Sequence, residues 1–233
     1  MTALNIVGES AITLSAPILT ATIPGAVQSL QLKSQSKSHL EIRWSDPLDL
    51  GGTALQTYIV EMDSGTSQQP GVFRVMQMQV NTATDTFYTL TYLNALSEYV
   101  KLVAGDIYQF RITARNIVGD SSVKSMTQGM AATLPTAPGT PYRVRSTETS
   151  VTIAWLAPAD TGGTPITDYQ VLWDAGLGGA FVSLGSSLNI REFTPGYSLV
   201  TGSTYKFRVR ALNYIGTGPE SSSVSIIAAS PPD

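Results

Sequence analysis

The chain contains no cysteine, and only 13% of its 233 residues are charged. Without cysteine it has no disulfide, no thiolate nucleophile and no cysteine-ligated metal. The missing disulfides do not assign a compartment, because a domain with a sufficient hydrophobic core folds without them even outside the cell. The charged fraction is about half the usual share. The polar surface must therefore consist mostly of Ser, Thr, Gln and Asn.

Concentrated positive charge and long apolar runs are also missing. The net charge is −3, with no cluster of Lys and Arg, and this excludes the electrostatic footprint that nucleic-acid binding needs. No apolar run approaches the ~20 residues of a membrane-spanning helix. Residues 1–25 lack the basic start and compact apolar block of a signal peptide. The sequence predicts a soluble chain that neither binds nucleic acid nor inserts into a membrane.

Residues able to carry catalysis are scarce. His39 is the only histidine, so no histidine pair exists for a metal, and no nucleophile sits in a recognisable elbow. We interpret His39 as a solvated residue at the start of a strand. Asp46 and Asp49 fall in one loop, where two carboxylates are a weak basis for a calcium site. The sequence predicts no catalytic, metal-binding or cofactor-binding residue, no cofactor and no small-molecule substrate.

What the sequence does contain is an internal repeat. Residues 40–60 match residues 151–171 at an offset of 111, and both stretches have a Trp, then a Pro, then Asp-x-Gly-Gly-Thr. Residues 102–116 match residues 199–213 at an offset of 97, through Leu-Val-x-Gly-x-x-Tyr-x-Phe-Arg. The smaller second offset shows that the first copy carries 14 more residues between these two stretches.

Hydrophobic residues alternate with polar ones within each copy, as at positions 40, 42 and 44 and again at 108, 110, 112 and 114. This period of two is typical of a strand with one buried face. Breaks rich in Gly, Pro and Ser separate the runs, and no segment shows an apolar stripe with a period of 3.6. The sequence therefore predicts an all-β fold of two tandem antiparallel sandwiches.

These residues resemble the fibronectin type III family. The resemblance rests on Trp44 and Trp155, on the P-x-D-x-G-G-x-x-[IL]-x-x-Tyr-x-Val run after each, and on L-x-x-G-x-x-Tyr-x-Phe-x-[IV]-x-Ala-x-Asn-x-x-Gly near the end. It implies an immunoglobulin-like sandwich of seven strands. It also implies that Tyr108 and Tyr205 are tyrosine-corner residues, whose hydroxyl groups bond back to the backbone.

The first residues of the chain repeat the end of such a module. Ala-Leu-Asn-Ile-Val-Gly at 3–8 matches Ala-Arg-Asn-Ile-Val-Gly at 114–119. We expect residues 1–23 to be the C-terminal strand remnant of a preceding repeat. We expect the two modules to occupy residues 24–134 and 135–233.

A lone final strand has no sheet of its own to pair with. Its apolar side chains are Ile12, Leu14, Ile18 and Leu19. In one interpretation the chain is cut from a longer array, and the remnant is frayed or lies along the next module. In the other, the strand adds to an exposed sheet edge of another molecule and links subunits. Both imply a longer tandem array or a polymer.

Other motifs are interpreted as structural. The glycine pairs at 51–52 and 162–163 are predicted to supply positive φ in turns rather than to cradle phosphate, because no helix follows them. Trp173 and Phe181 are interpreted as core or cross-strand packing, with a carbohydrate- or peptide-binding strip as the alternative. The loop at 116–122 stands where some family members carry Arg-Gly-Asp. That tripeptide is absent, so integrin binding is not expected.

Most of the 14 extra residues fall around 94–101, with apolar Leu96, Tyr99 and Val100. A long connection that packs on its own sandwich is favoured over a loop that docks a partner.

The resemblance implies a non-enzymatic structural or adhesive array in a large surface, matrix or filament-forming protein. Its expected partners are proteins, including further copies of itself by strand addition, and its expected location is extracellular or at the cell surface. One alternative is an intracellular cytoskeletal giant filament, because the Asp-x-Gly-Gly run also resembles modules of muscle proteins. The other is a spacer in a secreted polysaccharide-degrading enzyme.

Overall fold

The computed structural model describes residues 4–9, 20–68, 70–80, 87–91, 102–186 and 189–230. The regular structure in these ranges is entirely β, as the period of two predicts. None of the described residues belongs to a helix that could cross a membrane. Ile12, Leu14, Ile18, Leu19 and the extra residues around 94–101 lie outside the described residues.

A short hairpin comes first, with β1 (Leu4–Asn5) antiparallel to β2 (Gly8–Glu9). The first sandwich, module 1, follows with β3 (Gln28–Ser36), β4 (His39–Ser45), β5 (Leu55–Met62), β6 (Arg74–Val80), β7 (Phe87–Thr91), β8 (Ile107–Asn116) and β9 (Ser125–Met130). One sheet has the strand order β3-β4-β7 and the other the order β6-β5-β8-β9. Every pair is antiparallel.

The second sandwich, module 2, contains β10 (Tyr142–Ser146), β11 (Val151–Ala154), β12 (Ile166–Trp173), β13 (Val182–Ser186), β14 (Glu192–Phe193), β15 (Thr204–Asn213), β16 (Thr217–Glu220) and β17 (Val224–Ile227). One sheet has the order β10-β11-β14. The other has the order β13-β12-β15-β16, and β17 also pairs with β15. By register β17, which pairs with residues 204–207, fills the position of β9, while β16 pairs further along β15, where module 1 has the bridge between Arg115 and Asp120. Both modules thus have the two-sheet arrangement that the family resemblance implies.

Alternate residues of the central strands fill each core. Along β8 the side chains of Tyr108, Phe110 and Ile112 are all fully buried. Trp44 packs edge-on against Tyr58, with ring centroids 5.4 Å apart. In module 2 the corresponding pair is Trp155 and Tyr169, at 5.5 Å. Edge-to-face rings at this separation add to the stabilisation that burial itself provides.

The tyrosine corners predicted from the resemblance are confirmed. The backbone N–H of Val103 donates to the hydroxyl oxygen of Tyr108 at 2.7 Å, and the N–H of Val200 donates to that of Tyr205 at 2.9 Å. Burial raises the pKa of Tyr108 above its ordinary value. Each bond ties the chain before the strand to the strand itself, five residues later.

A buried aspartate follows β5, and another follows β12. The sequence did not indicate a role for either of them. Asp63 after β5 accepts hydrogen bonds from the backbone N–H of Gly65, Gln109 and Gly71. Asp174 after β12 accepts two such bonds, from Gly176 and Lys206. Backbone donors take the place of water around these groups. Both carboxylates therefore fix the turn that leaves the strand.

We expect Trp44→Ala or Trp155→Ala to lower the free energy of unfolding of its module by about 3–5 kcal/mol, because a large core side chain is removed. Neither indole N–H has a hydrogen-bond partner among the residues that the structure describes, so Trp155→Phe is a matched control with a smaller loss. Denaturant melts measure both. A loss below about 1 kcal/mol for the alanine variants would mean that these rings do not fill the cores.

Tyr205→Phe tests the tyrosine corner separately from the packing. The ring stays, but the N–H of Val200 loses its acceptor, and we expect a cost of about 1–3 kcal/mol in thermal or denaturant unfolding. Tyr197, whose side chain is exposed, provides the matched control. Equal melts for Tyr205→Phe and Tyr197→Phe would show that the hydroxyl bond contributes nothing.

Candidate functional site at the junction of the two sandwiches

Module 2 holds the chain that enters it from module 1. The N–H of Thr133 donates to the carbonyl of Gly162 at 2.8 Å, and the N–H of Thr136 donates to the carbonyl of Asp160 at 2.9 Å. The carbonyl of Thr133 accepts a bond from the side-chain amide of Asn213, also at 2.8 Å. We call this set of bonds the linker clamp.

Asn213 is the centre of the clamp. Its amide nitrogen donates to the carbonyl of Thr133 and also to that of Thr161. Its carbonyl oxygen accepts from the N–H groups of Ile215 and Gly216. The side chain is buried, and because both ends of its amide are engaged, its orientation is fixed.

Gly162 is the second requirement of the clamp. Its φ is +81°, which confirms the prediction that the glycine pair supplies positive φ. The structure adds a reason that the sequence does not show, because a Cβ at Gly162 would stand 2.1 Å from the carbonyl oxygen of Thr133. No side chain fits between the turn and the linker. This position therefore requires glycine for two reasons, the positive φ and the lack of space for a Cβ.

The same clamp recurs at the front of module 1. The N–H of Thr22 donates to the carbonyl of Gly51 at 2.9 Å, and the side-chain amide of Asn116 donates to the carbonyl of Thr22 at 2.7 Å. Gly51 has a φ of +75°, and a Cβ there would again lie 2.1 Å from the carbonyl oxygen of Thr22. The two linkers, Ala-Thr-Ile-Pro at 21–24 and Ala-Thr-Leu-Pro at 132–135, are thus held by one geometry.

The two sandwiches also touch directly. A Cβ on Gly105 would stand 2.7 Å from the carbonyl oxygen of Gly163, so their backbones meet without intervening side chains. Beside this contact the Lys37 ammonium pairs with the Asp160 carboxylate, and the hydrogen bond from Lys37 lowers the pKa of Asp160. Both side chains are about 40% exposed. A pair so open to water orients the modules more than it stabilises them.

A groove of about 150 Å³ runs along the junction. From module 2 it is lined by Tyr214 and Ile215, the tip of the hairpin between β15 and β16. From module 1 it is lined by Leu32, Gln35, Ile107, Gln128, Gly129 and Met130. The hairpin tip of one module therefore lies over the far end of the module before it.

The residues singled out as weak chemical candidates have structural partners. His39 begins β4, with its ring nitrogen 2.8 Å from the hydroxyl of Ser34. Asp46 accepts a bond from the Tyr58 hydroxyl, and Asp49 accepts one from the N–H of Gly51. No group of three His, Asp or Glu side chains able to hold a metal occurs in the part of the chain that the structure describes.

The aromatic candidates also pack within module 2. Trp173 stacks on Tyr205 at 5.6 Å between ring centroids, as the core-packing interpretation predicts. Phe181 lies under the guanidinium of Arg208, 4.1 Å from its ring centroid, and the same arrangement joins Phe73 and Arg111 in module 1. These rings pack against cations on the sheet surface rather than in the core.

Sequence reasoning missed the two clamp asparagines. It placed Asn116 in the loop that lacks Arg-Gly-Asp and gave Asn213 no role. The available signal was the repeated Asn-x-x-Gly at positions 116 and 213 together with a linker of similar length before each module. A buried amide that spans two strands and a linker requires a tertiary contact, which a repeat alone does not reveal.

Comparison with known proteins supports the family directly. A model of the fibronectin type III domain matches residues 136–227, which hold all the strands of module 2. The two-domain fibronectin type III segment of chicken tenascin is similar in structure, with a TM-score of 0.45 and 16% identity over 86% of this chain and 98% of that one.

Three relatives align with most of this chain. Fibronectin type-III domain-containing protein 3A from mouse is 31% identical over 90% of the chain, and fast-type myosin-binding protein C from chicken is 27% identical over 94%. Exoglucanase B from Cellulomonas fimi is 27% identical over 90%. The chain spans 16%, 18% and 17% of these proteins, respectively, so they share its modules and not its overall extent.

The family model covers module 2. Module 1 repeats its two sheets, its buried Trp against Tyr, its tyrosine corner and its linker clamp. The chain therefore contains a fibronectin type III domain at residues 136–227, and module 1 repeats its architecture.

Proposed function

We propose that the chain is a non-enzymatic structural and protein-interaction array, whose immediate task is to hold consecutive modules at a fixed spacing and orientation. The linker clamp is the single observation that carries this proposal. A chain that only tethers two domains needs no buried amide and no glycine at a defined position in front of each domain. Here both are present twice.

The junction leaves little freedom for bending. Ala131 and Ala132 are buried at the end of module 1, while Thr133 and Thr136 are bonded to module 2. Only Leu134 and Pro135 separate Thr133 from Thr136, and proline fixes its own φ. The Leu134 side chain also lies against Gly216, where a Cβ would be 3.2 Å from it. Bending at this point would therefore break hydrogen bonds or packing.

The finer proposal concerns the whole protein and its location. We infer an array within a large surface, matrix or filament-forming protein, located extracellularly or at the cell surface. The low charge and hydroxyl-rich composition support an exposed scaffold. Self-association through residues 1–23 by strand addition belongs to the same proposal.

The hairpin at the front supports the inference that residues 1–23 are the end of a preceding module. Gly8 has a φ of +139°, and the matching Gly119 and Gly216 have values of +154° and +148°. In β1 and β2 Leu4 pairs with Glu9, as Leu212 pairs with Thr217 in module 2. The backbone thus repeats a hairpin that otherwise occurs at the end of a sandwich.

Two other settings each have a supporting observation. Similarity to chicken myosin-binding protein C favours a cytoskeletal filament, and similarity to Exoglucanase B favours a spacer in a secreted enzyme. In all three settings the proposed task of the modules is the same. Neighbouring sequence separates them: further repeats after a signal peptide, immunoglobulin-like or kinase domains, or a hydrolase domain.

We expect Asn213→Ala to loosen the junction, because the carbonyls of Thr133 and Thr161 lose their donor. Since the chain has no cysteine, spin labels on Lys33→Cys and Ser223→Cys report the distance between the modules by pulsed electron resonance. The distance distribution should be narrow in the parent protein and clearly broader in Asn213→Ala. Module 2 should also lose about 1–2 kcal/mol of stability.

Asn116→Ala is the matched control for that experiment. It removes the same bonds in front of module 1, where Asn116 donates to Thr22 and Leu50. It should therefore lower the stability of module 1 without broadening the label distances. A parent distribution as broad as that of Asn213→Ala would contradict the rigid junction.

Deletion of residues 1–23 tests the linking role of this segment. Light scattering should show smaller particles at high concentration, because the linking strand is gone. Each module should keep a free energy of unfolding in the ordinary range of roughly 5–15 kcal/mol, although module 1 loses the clamp bonds that Thr22 makes with Gly51 and Asn116. An unchanged particle size would show that the segment does not link molecules.

A further inference from the structure

Three basic side chains lie on the outer face of the larger sheet of module 2. The side chains of β15 alternate between the buried core and this face, and the outer positions hold Lys206, Arg208 and Arg210. We call these three residues the cationic stripe. Apolar residues separate them along the sequence, so the positive charge is concentrated only when the strand forms. The stripe ends at the next outer position, where Leu212 lies opposite Asp168.

The corresponding strand of module 1 does not carry this stripe. At the offset of 97, Gln109 and Thr113 occupy the positions of Lys206 and Arg210. The strand that holds these two neutral residues, β8, pairs with β5 in the same register as β15 pairs with β12. Module 1 thus forms the same sheet without the additional charge. The stripe is therefore not a requirement of the fold.

A carboxylate at the centre of this face also distinguishes the two modules. In module 1 Glu61 lies opposite Arg111, and it binds Arg111 at 2.7 Å and Lys124 at 2.8 Å. In module 2 the residue opposite Arg208 is Leu172, which is buried and carries no charge. Positive charge is therefore compensated at the centre of this face in module 1 but not in module 2.

The neighbours of the stripe orient its basic groups without cancelling their charge. Arg208 binds one carboxylate, that of Glu220, at 3.0 Å. Arg210 donates from its Nε to the neutral side chain of Gln170 at 2.7 Å. Among the residues that the structure describes, neither Lys206 nor Arg210 forms an ion pair. Groups that are already held in place lose less freedom when a ligand binds.

We propose that the cationic stripe binds an extended acidic segment of a partner protein, with carboxylates at alternate positions. Residues two apart on an extended chain are separated by about 6.8 Å, and the members of the stripe have this same spacing along β15. The planar fork of Arg208 and Arg210 suits a carboxylate in particular. The proposal rests on the protein-interaction role proposed above and adds the class of partner.

Fluorescence anisotropy of a labelled peptide of alternating glutamate and threonine tests this inference on the full chain. The peptide should bind at low ionic strength and dissociate as salt is added, because salt screens exposed charges. In the double variant Lys206→Gln with Arg210→Gln the dissociation constant should rise about tenfold or more, because two charged contacts are lost.

Arg143→Gln with Arg145→Gln is the matched control. It removes the same charge from two exposed residues of the other sheet, so it should bind the peptide as the parent does. Equal weakening by both double variants would show that only net charge matters and would overturn the proposal. Lys206→Gln alone should weaken binding in the same direction, and it leaves the bond from Arg210 to Gln170 intact if the double variant proves unstable.

Two further probes test the spacing and the class of partner. A peptide of the same composition with its glutamates in one block should bind more weakly than the alternating peptide, and equal binding would overturn the match of spacing. Dextran sulfate should compete no better than the block peptide. Stronger competition by dextran sulfate, lost in the Lys206 and Arg210 variant, would assign the stripe to a sulfated polysaccharide instead.

The outcome is independent of the rigid junction. Label distances within one molecule report the junction, whereas anisotropy reports binding to one face of module 2. A chain with a narrow distance distribution that binds no acidic peptide would overturn only this inference. A chain with a broad distribution that binds the peptide would overturn only the rigid junction.

Discussion

The arrangement of the two sandwiches depends on one buried carboxamide that holds a linker carbonyl. Both ends of the Asn213 side-chain amide form hydrogen bonds, to four backbone groups in total, one of which lies in the linker. Because a buried carbonyl without a donor is costly, the linker has one favourable position against module 2. The turn around Gly162 closes the other side, where backbone meets backbone. The hydrogen bonds of one side chain thus restrict the orientation of the two modules.

Much of the fold follows from sequence because its determinants are local or periodic. The alternation at 108, 110, 112 and 114 defines a buried face wherever the strand lies, and the structure buries those side chains. Trp44 and Trp155 fill the cores for the same reason. The tyrosine corner was available only through the family resemblance, because the bond from Val103 to Tyr108 spans five residues and has no periodic signature.

The junction was harder to predict because its requirements are tertiary. The sequence assigns positive φ to Gly162, yet it does not show that the linker passes within contact distance of this residue. The sequence gives Asn213 no role, because its partners in the linker and the preceding turn lie far from it along the chain. Asp63 was missed for a related reason, since three donors from different parts of the chain converge on it. Converging contacts have no fixed spacing along the sequence.

The meeting of Gly105 with Gly163 has a consequence for how such arrays tolerate change. Main-chain atoms approach each other directly at this point, so this contact of the junction leaves no room for a side chain. A methyl group at Gly105 would act as a wedge, because its Cβ would stand 2.7 Å from the carbonyl oxygen of Gly163. In an array of such modules, the same wedge at each joint would change the spacing and the angle between neighbours.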